Sequence, residues 1–257
     1  MSSTTTAANA ANAANALLTI DNLGKRFGGF VALDGISLGV KAGERLGLIG
    51  PNGSGKSTLV NCICGTLANE SGTVQFDGQR IDALRTHQRT RAGIARSFQL
   101  PRPFASLTVA DNLLVPLLYS VNARPGTHLS AAERDGRCAD LLQLVGLAHK
   151  AGQRPRDLTQ VEMRKLELAR AMAAEPQLLI ADESMAGLSQ VEVAEIVALL
   201  IRLNERGVTI ILIEHIMRAV MQFSQRLVVL VSGAKIADGA PAQVIRDPQV
   251  ERAYLGQ

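Results

Sequence analysis

Gly50-Pro51-Asn52-Gly53-Ser54-Gly55-Lys56-Ser57 has the spacing G-x-x-x-x-G-K-S, which is that of a phosphate-binding P-loop. The apolar run Leu46-Gly47-Leu48-Ile49 before it predicts a buried strand, and Thr58-Leu59-Val60-Asn61 after it predicts the opening of a helix. That context separates a P-loop from a glycine-rich turn carrying a surface lysine. Three glycines let the backbone curl so that successive N–H groups face one phosphate. The helix N-terminus adds unpaired donors and the positive end of the helix dipole. In such a loop Lys56 reaches the β- and γ-phosphates, and the Ser57 hydroxyl holds Mg²⁺.

A second stretch supplies what a phosphate loop lacks. Leu178-Leu179-Ile180-Ala181-Asp182-Glu183 is an apolar strand ending in two carboxylates. Asp182 is placed to hold Mg²⁺ through water, and Glu183 to take a proton from an attacking water. Phosphoryl transfer asks mainly for positioning and charge neutralisation, and these residue types supply both. Two single residues extend the set. Gln99, in Ser97-Phe98-Gln99-Leu100, carries an amide suited to bridging Mg²⁺ or water. His215 follows the apolar run Val208–Ile213 and is placed to hydrogen-bond a γ-phosphate. Taken alone, a glutamine is most often a surface residue and a histidine at a strand end is usually structural.

Composition is compatible with this chemistry. The chain has 257 residues, 47% of them hydrophobic and only 3% aromatic, so its core is mainly aliphatic. The formal charge of +4 is mild, and no basic run is interleaved with aromatics, so nucleic acid is not an expected partner. The three cysteines, Cys62, Cys64 and Cys138, form no disulfide or zinc framework and read as reduced thiols used in packing. No apolar run approaches ~18 residues, so no membrane-spanning helix is expected.

Residues 1–16 form a Ser/Thr/Ala/Asn tract without a basic start or an apolar centre, read as a disordered tail and not a secretory signal. Residues 17–257 then read as one α/β domain. Leu17–Ile20 and Ile36–Val40 are expected strands, with Lys25–Phe30 a loop between them and Lys41–Glu44 a turn. Asp77-Gly78 predicts a hairpin, as does Ser232-Gly233 between Arg226–Val231 and Lys235–Ala237. From about residue 90 to 173 helix starts replace strand pattern: Thr108-x-x-Asp111, then Ser130-x-x-Glu133. This stretch reads as a helical lobe inserted into a mainly parallel sheet core. Ser189-x-x-Glu192 opens a further long amphipathic helix.

In this order the motifs resemble the ATP-binding subunit of an ABC transporter, over nearly all of Leu17 to Gly256. The resemblance implies a P-loop NTPase of ABC type with an antiparallel β subdomain. It implies that Gly50, Pro51, Asn52, Gly53, Ser54, Gly55, Lys56, Ser57 and Thr58 are Walker A, and Leu178–Glu183 Walker B. Gln99 becomes the Q-loop residue, also toward the metal, His215 the switch histidine, and Phe27 the aromatic that stacks on adenine. Lys25-Arg26-Phe27-Gly28-Gly29, Ser97-Phe98-Gln99, Ala186-Gly187-Leu188, Ile213-Glu214-His215 and Arg252-Ala253-Tyr254-Leu255-Gly256 are similar to the ATPases of branched-chain amino-acid importers. Relatives serving urea or amide uptake, or lipopolysaccharide export, share that text. The resemblance implies ATP and Mg²⁺ as cofactors. Its partners would be a second ATPase subunit and membrane permeases docked near Gln99 and Arg102-Pro103-Phe104, with a substrate-binding protein acting indirectly. The chain would sit on the cytoplasmic face of the membrane.

The signature motif departs from the family pattern. Leu158-Thr159-Gln160-Val161-Glu162 stands where Leu-Ser-x-Gly-Gln is usual. Thr159 keeps a hydroxyl for nucleotide, and Thr159-x-x-Glu162 is a capping box. Val161 replaces a glycine, with methyl groups and restricted positive φ expected to impede approach to phosphate. Ser184 replaces the usual proline after Glu183, and Ser189-Gln190 replaces Asn-Pro. The expectation is a weakened composite site, both sites in a homodimer or one of two in a heterodimer, the intact Walker residues favouring the heterodimer, or else a regulatory or assembly ATPase with little turnover.

Overall fold

The computed structural model describes residues 16–98 and 101–255. The N-terminal tract up to residue 15, Gln99, Leu100, Gly256 and Gln257 lie outside the described residues. The chain runs β1 (Ala16–Phe27), β2 (Phe30–Lys41), β3 (Arg45–Ile49), α1 (Lys56–Cys64), β4 (Ser71–Phe76), β5 (Gln79–Arg80), α2 (Thr86–Ala92) and β6 (Ile94–Ser97). It continues through α3 (Val109–Pro116), a π-helical turn (Leu117–Val121), α4 (Ala131–Val145), α5 (Gln160–Met172), β7 (Leu178–Asp182), α6 (Gln190–Glu205) and β8 (Thr209–Ile213). It closes with α7 (Met217–Phe223), β9 (Arg226–Val231), β10 (Ala234–Gly239), α8 (Pro241–Val244) and α9 (Pro248–Leu255). The chain divides into two compact units, one of residues 16–86 with 224–255 and one of His87–Phe223.

In the first unit β1 and β2 pair antiparallel, and β4 and β5 extend the sheet in the order β2-β1-β4-β5. Alternation explains the strands: Leu18, Ile20 and Leu23 of β1 and Leu33, Ile36, Leu38 and Val40 of β2 are buried, with more exposed residues between them. Both strands are longer than the sequence reading, which ended the first at Ile20. Lys25–Phe27 belongs to β1 and Phe30 to β2, leaving Gly28-Gly29 as the turn. Pairing with β2 carries the polar residues Lys25 and Arg26 along, a tertiary effect that local propensity does not register. In the same unit β3 pairs parallel with β9, and β9 antiparallel with β10. The turn between them has Ser232 at φ 48 and Gly233 at φ 78, as a two-residue hairpin requires.

In the second unit β6, β7 and β8 are parallel neighbours. The register places Ser97 beside Ala181, and Asp182 beside Ile213, so these strands end at one edge. β7 and β8 are buried throughout, as expected for central parallel strands. Strand β6 corrects the sequence reading, in which residues 90–173 carry little strand pattern. Its run Ile-Ala-Arg-Ser is short and half polar, and register with β7 defines it. Helices α3, α4, α5 and α6 start at Thr108, Ser130, Thr159 and Ser189, each with the complete capping box expected. Leu166, Leu168 and Ala169 of α5, Ile196, Leu199 and Leu200 of α6, and Leu179 and Ala181 of β7 share one core cluster. Cys62, Cys64 and Cys138 are buried and form no disulfide among the described residues.

Candidate nucleotide site

Strand β3 delivers the chain into the P-loop, where two glycines are sterically required. A Cβ on Gly50 would lie 2.1 Å from the Leu230 carbonyl oxygen and 2.6 Å from Ser54 Oγ. Gly55 sits at φ 102, and a Cβ there would lie 2.6 Å from the Ala32 carbonyl oxygen. The loop is clamped from below. Gly233 N–H donates to Ser54 O at 3.0 Å, and Asp34 N–H donates to Gly233 O at 2.9 Å. Gly55 caps α1 with no side-chain hydrogen bond and no acidic residue follows in the first turn, in contrast to the four capping boxes of α3 to α6. An N-terminus of that kind offers backbone donors to an anion.

Lys56 is only 6% exposed. Its Nζ donates to the carbonyl oxygens of Gly50 at 2.6 Å and Pro51 at 3.0 Å, and to Ser54 Oγ at 3.4 Å. The ammonium is therefore held on the loop's own oxygens, at the mouth of the loop that would cradle phosphate. Phe27 ends β1 at the hairpin tip, 48% exposed, with Lys25 Nζ 5.5 Å from its ring centre. A half-exposed aromatic ring is of the type that stacks on a purine.

The carboxylates belong to the second unit. Asp182 ends β7 and is 7% exposed. Its Oδ2 accepts from Arg96 Nη2 at 2.5 Å, across from β6. Arg96 also lies 5.2 Å from the ring centre of Phe98. Sequence reasoning missed this arginine, because its role depends on the β6–β7 register and nothing local marks it.

Glu183 follows at φ 46, a left-handed conformation rare for a side chain of its size. Its N–H donates to Ile213 O at 2.9 Å, and its Oε1 lies 2.8 Å from His215 Nε2. The structure thus brings together two residues that the sequence places 32 positions apart. Their neighbour Glu214 is buried, and its Oε1 accepts the Met185 N–H at 2.8 Å. Burial pushes the Glu214 carboxyl up to about 7, against hydrogen bonds from the Met185 and His215 N–H groups. Ser184, between Glu183 and Met185, buries a hydroxyl that has no hydrogen-bond partner among the described residues.

Thr159 caps α5: its Oγ1 accepts from Glu162 N–H, and Glu162 Oε2 accepts from Thr159 N–H at 2.8 Å. Glu162 also pairs with Lys150 at 2.7 Å. Partial desolvation raises the Glu162 pKa, but Lys150 and the Thr159 hydroxyl and N–H outweigh it and hold the carboxyl at about 2. Val161 corrects one expectation. It lies in the first turn of α5 and is absent from the positive-φ residues, so the position asks for no glycine conformation. The first residues of a helix have ordinary helical φ, which any L-residue adopts. The Val161 side chain packs instead against the core cluster of the unit.

The donor chemistry fits a hard divalent cation. The Ser57 hydroxyl in the first unit and the Asp182 carboxylate in the second are each an oxygen donor of the type Mg²⁺ takes. Among the described residues no group of three or more His, Cys, Asp or Glu is arranged to hold a metal by itself.

A phosphate-cradling loop after a buried strand, and a strand ending in Asp-Glu, define a P-loop nucleotide triphosphatase. The family described as ABC transporter matches residues 33–186, and the family described as branched-chain amino acid ATP-binding cassette transporter matches residues 234–257. The chain belongs to the ABC transporter ATPase family. It is 37% identical to the high-affinity branched-chain amino acid transport ATP-binding protein BraF of Pseudomonas aeruginosa, covering 94% of this chain and 98% of BraF. The LivG protein of Escherichia coli K12, with the same described role, is similar to the same extent. The lipopolysaccharide export ATP-binding protein LptB of Escherichia coli K12 is 32% identical over 94% of this chain and 98% of LptB. Among solved structures, an ATP-binding cassette of an ABC transporter in its ADP conformation superposes with TM-score 0.84 at 31% identity, covering 94% of this chain and 99% of that one. A dimeric cassette in a post-hydrolysis state with ADP and Pi gives TM-score 0.76 at 27% identity, covering 87% of this chain and 98% of that one.

Proposed function

We propose that this ATPase powers an importer of branched-chain amino acids. The observation that carries the cargo is the match of residues 234–257, at β10, α8 and α9, to the branched-chain cassette family. Greater identity to BraF and LivG than to LptB supports the same reading.

In this account the P-loop residues Gly50 to Thr58 cradle the phosphates of ATP and Phe27 stacks on its base. Lys56 exchanges its loop carbonyls for phosphate oxygens, neutralising charge as it does so. Ser57 and Asp182 would hold Mg²⁺, with an amide from Gln99, and the ion would supply charge neutralisation on the phosphates. Glu183 orients and deprotonates the attacking water, and His215 holds Glu183 in place and reaches the γ-phosphate. Thr159 of a partner subunit's copy would serve each nucleotide in trans. The relatives' roles as transport ATP-binding proteins support docking on permeases at a membrane surface, and no helix among the described residues is long and apolar enough to cross one. Arg102–Phe104 is a candidate contact, with Phe104 42% exposed and its ring 5.0 Å from the Arg170 guanidinium.

Uptake of radiolabelled leucine, isoleucine and valine in cells lacking this chain tests the cargo. Loss of uptake, restored by the intact chain but not by Lys56→Ala, is expected. Intact uptake with impaired growth on urea or amides, or with an envelope defect, would assign the chain to another transport system.

A further inference from the structure

The loop that follows β7 carries Glu183 at its start, and two different elements hold it. From α5, Arg164 Nη2 donates to Ala186 O at 3.2 Å and Gln160 Nε2 to the same oxygen at 3.5 Å. From just past the end of β8, the Glu214 carboxylate accepts the Met185 N–H at 2.8 Å. Glu214 is 3% exposed, and Met185 is fully buried in the core cluster. The charged groups facing the Glu214 carboxylate are Glu183, His215 and Arg164, with Glu167 beside Arg164 on α5.

These contacts close a ring. Glu183 touches His215 through side chains, His215 is joined to Glu214 by the chain itself, and Glu214 holds Met185, two residues past Glu183. Burying a carboxylate is costly, and a fold that needed only packing there would use an apolar residue. Glu183 meanwhile holds a left-handed backbone that surrounding contacts must enforce.

We propose that Glu214 is a positioning residue for hydrolysis, whose buried carboxylate fixes the loop after β7 and thereby sets the Glu183–His215 contact. It touches neither nucleotide nor water; it acts through the Met185 N–H and through its place next to His215 in the chain. The inference rests on the assignment of Glu183 as the residue that readies water.

The test compares Glu214→Ala, Glu214→Gln and Glu183→Gln in the full chain. The measurements are single-turnover ATP hydrolysis, ATP affinity, and amide hydrogen exchange at Met185. Glu214→Ala should lower the hydrolysis rate about tenfold or more, as displacement of a catalytic group does. ATP affinity should stay within about twofold, because the P-loop is untouched, and the Met185 amide should exchange faster. Glu214→Gln, which keeps an acceptor oxygen, should restore Met185 protection and part of the rate. An unchanged rate and unchanged Met185 protection in Glu214→Ala would overturn the proposal, as would a glutamine variant no better than alanine. Full turnover in Glu183→Gln would refute the role of Glu183, and Met185 exchange would still decide whether Glu214 holds the loop.

Discussion

His215 Nε2 lies 2.8 Å from Glu183 Oε1, and Glu183 in turn donates its N–H to the carbonyl oxygen of Ile213, the last residue of the strand that precedes the histidine. The two ends of β7 and β8 are therefore tied by side chain and backbone together. A carboxylate held this way is oriented before any substrate arrives, which is where general-base catalysis gains its advantage.

Glu183→Gln keeps the shape of the side chain and removes its basicity. Hydrolysis should fall by roughly 100-fold or more, while ATP affinity stays unchanged. Phosphate release and equilibrium nucleotide binding on the same preparation check both halves. A mutant that turns over at the normal rate would mean another group readies the water.

Val161→Gly should destabilise the protein. It removes packing against the core cluster and places glycine in a helix, together about 1–2 kcal/mol. Thermal melting measures the loss. A gain in turnover of tenfold or more in the same variant would show that the valine methyls obstruct a nucleotide held in trans, whatever the backbone conformation.

Glu162 gives a pH dependence of definite sign. Its carboxyl lies at about 2 in the folded chain against an ordinary 4.5, so its contribution is fully present above about pH 4.5 and lost as pH falls toward 2. Glu162→Gln should therefore melt lower than the unmodified protein at pH 7, with the gap closing as the solution is acidified. A gap independent of pH would place the effect outside the Lys150–Glu162–Thr159 contacts.

Ser184→Ala removes a buried hydroxyl that has no partner among the described residues. Stability should rise by about 1 kcal/mol, or roughly 2–4 °C in Tm for a chain of this size. A fall in Tm would show that the hydroxyl is satisfied by a bound water.

Both halves of the candidate site were legible as local patterns: a loop of fixed spacing after an apolar run, and an apolar run ending in Asp-Glu. The capping boxes at Thr108, Ser130, Thr159 and Ser189 were legible for the same reason, since a hydroxyl and a carboxylate three residues on satisfy each other within one turn. What the sequence hid depends on register between distant strands. Arg96 reaches Asp182 across 86 positions, and Glu214 reaches Met185 across 29. Strand β6 escaped notice because its partner, and not its composition, makes it a strand. At Val161 a family pattern misled: glycine in relatives was read as a need for positive φ, whereas the helix begins one residue earlier.

The central claim is that Lys56 meets phosphate and is not a structural lysine, and equilibrium ATP binding to Lys56→Ala tests it most directly. Loss of a charge-assisted contact worth about 1.5–3 kcal/mol should weaken binding roughly ten- to hundredfold in a protein that still melts cooperatively. Unchanged ATP affinity in that folded variant would contradict the account.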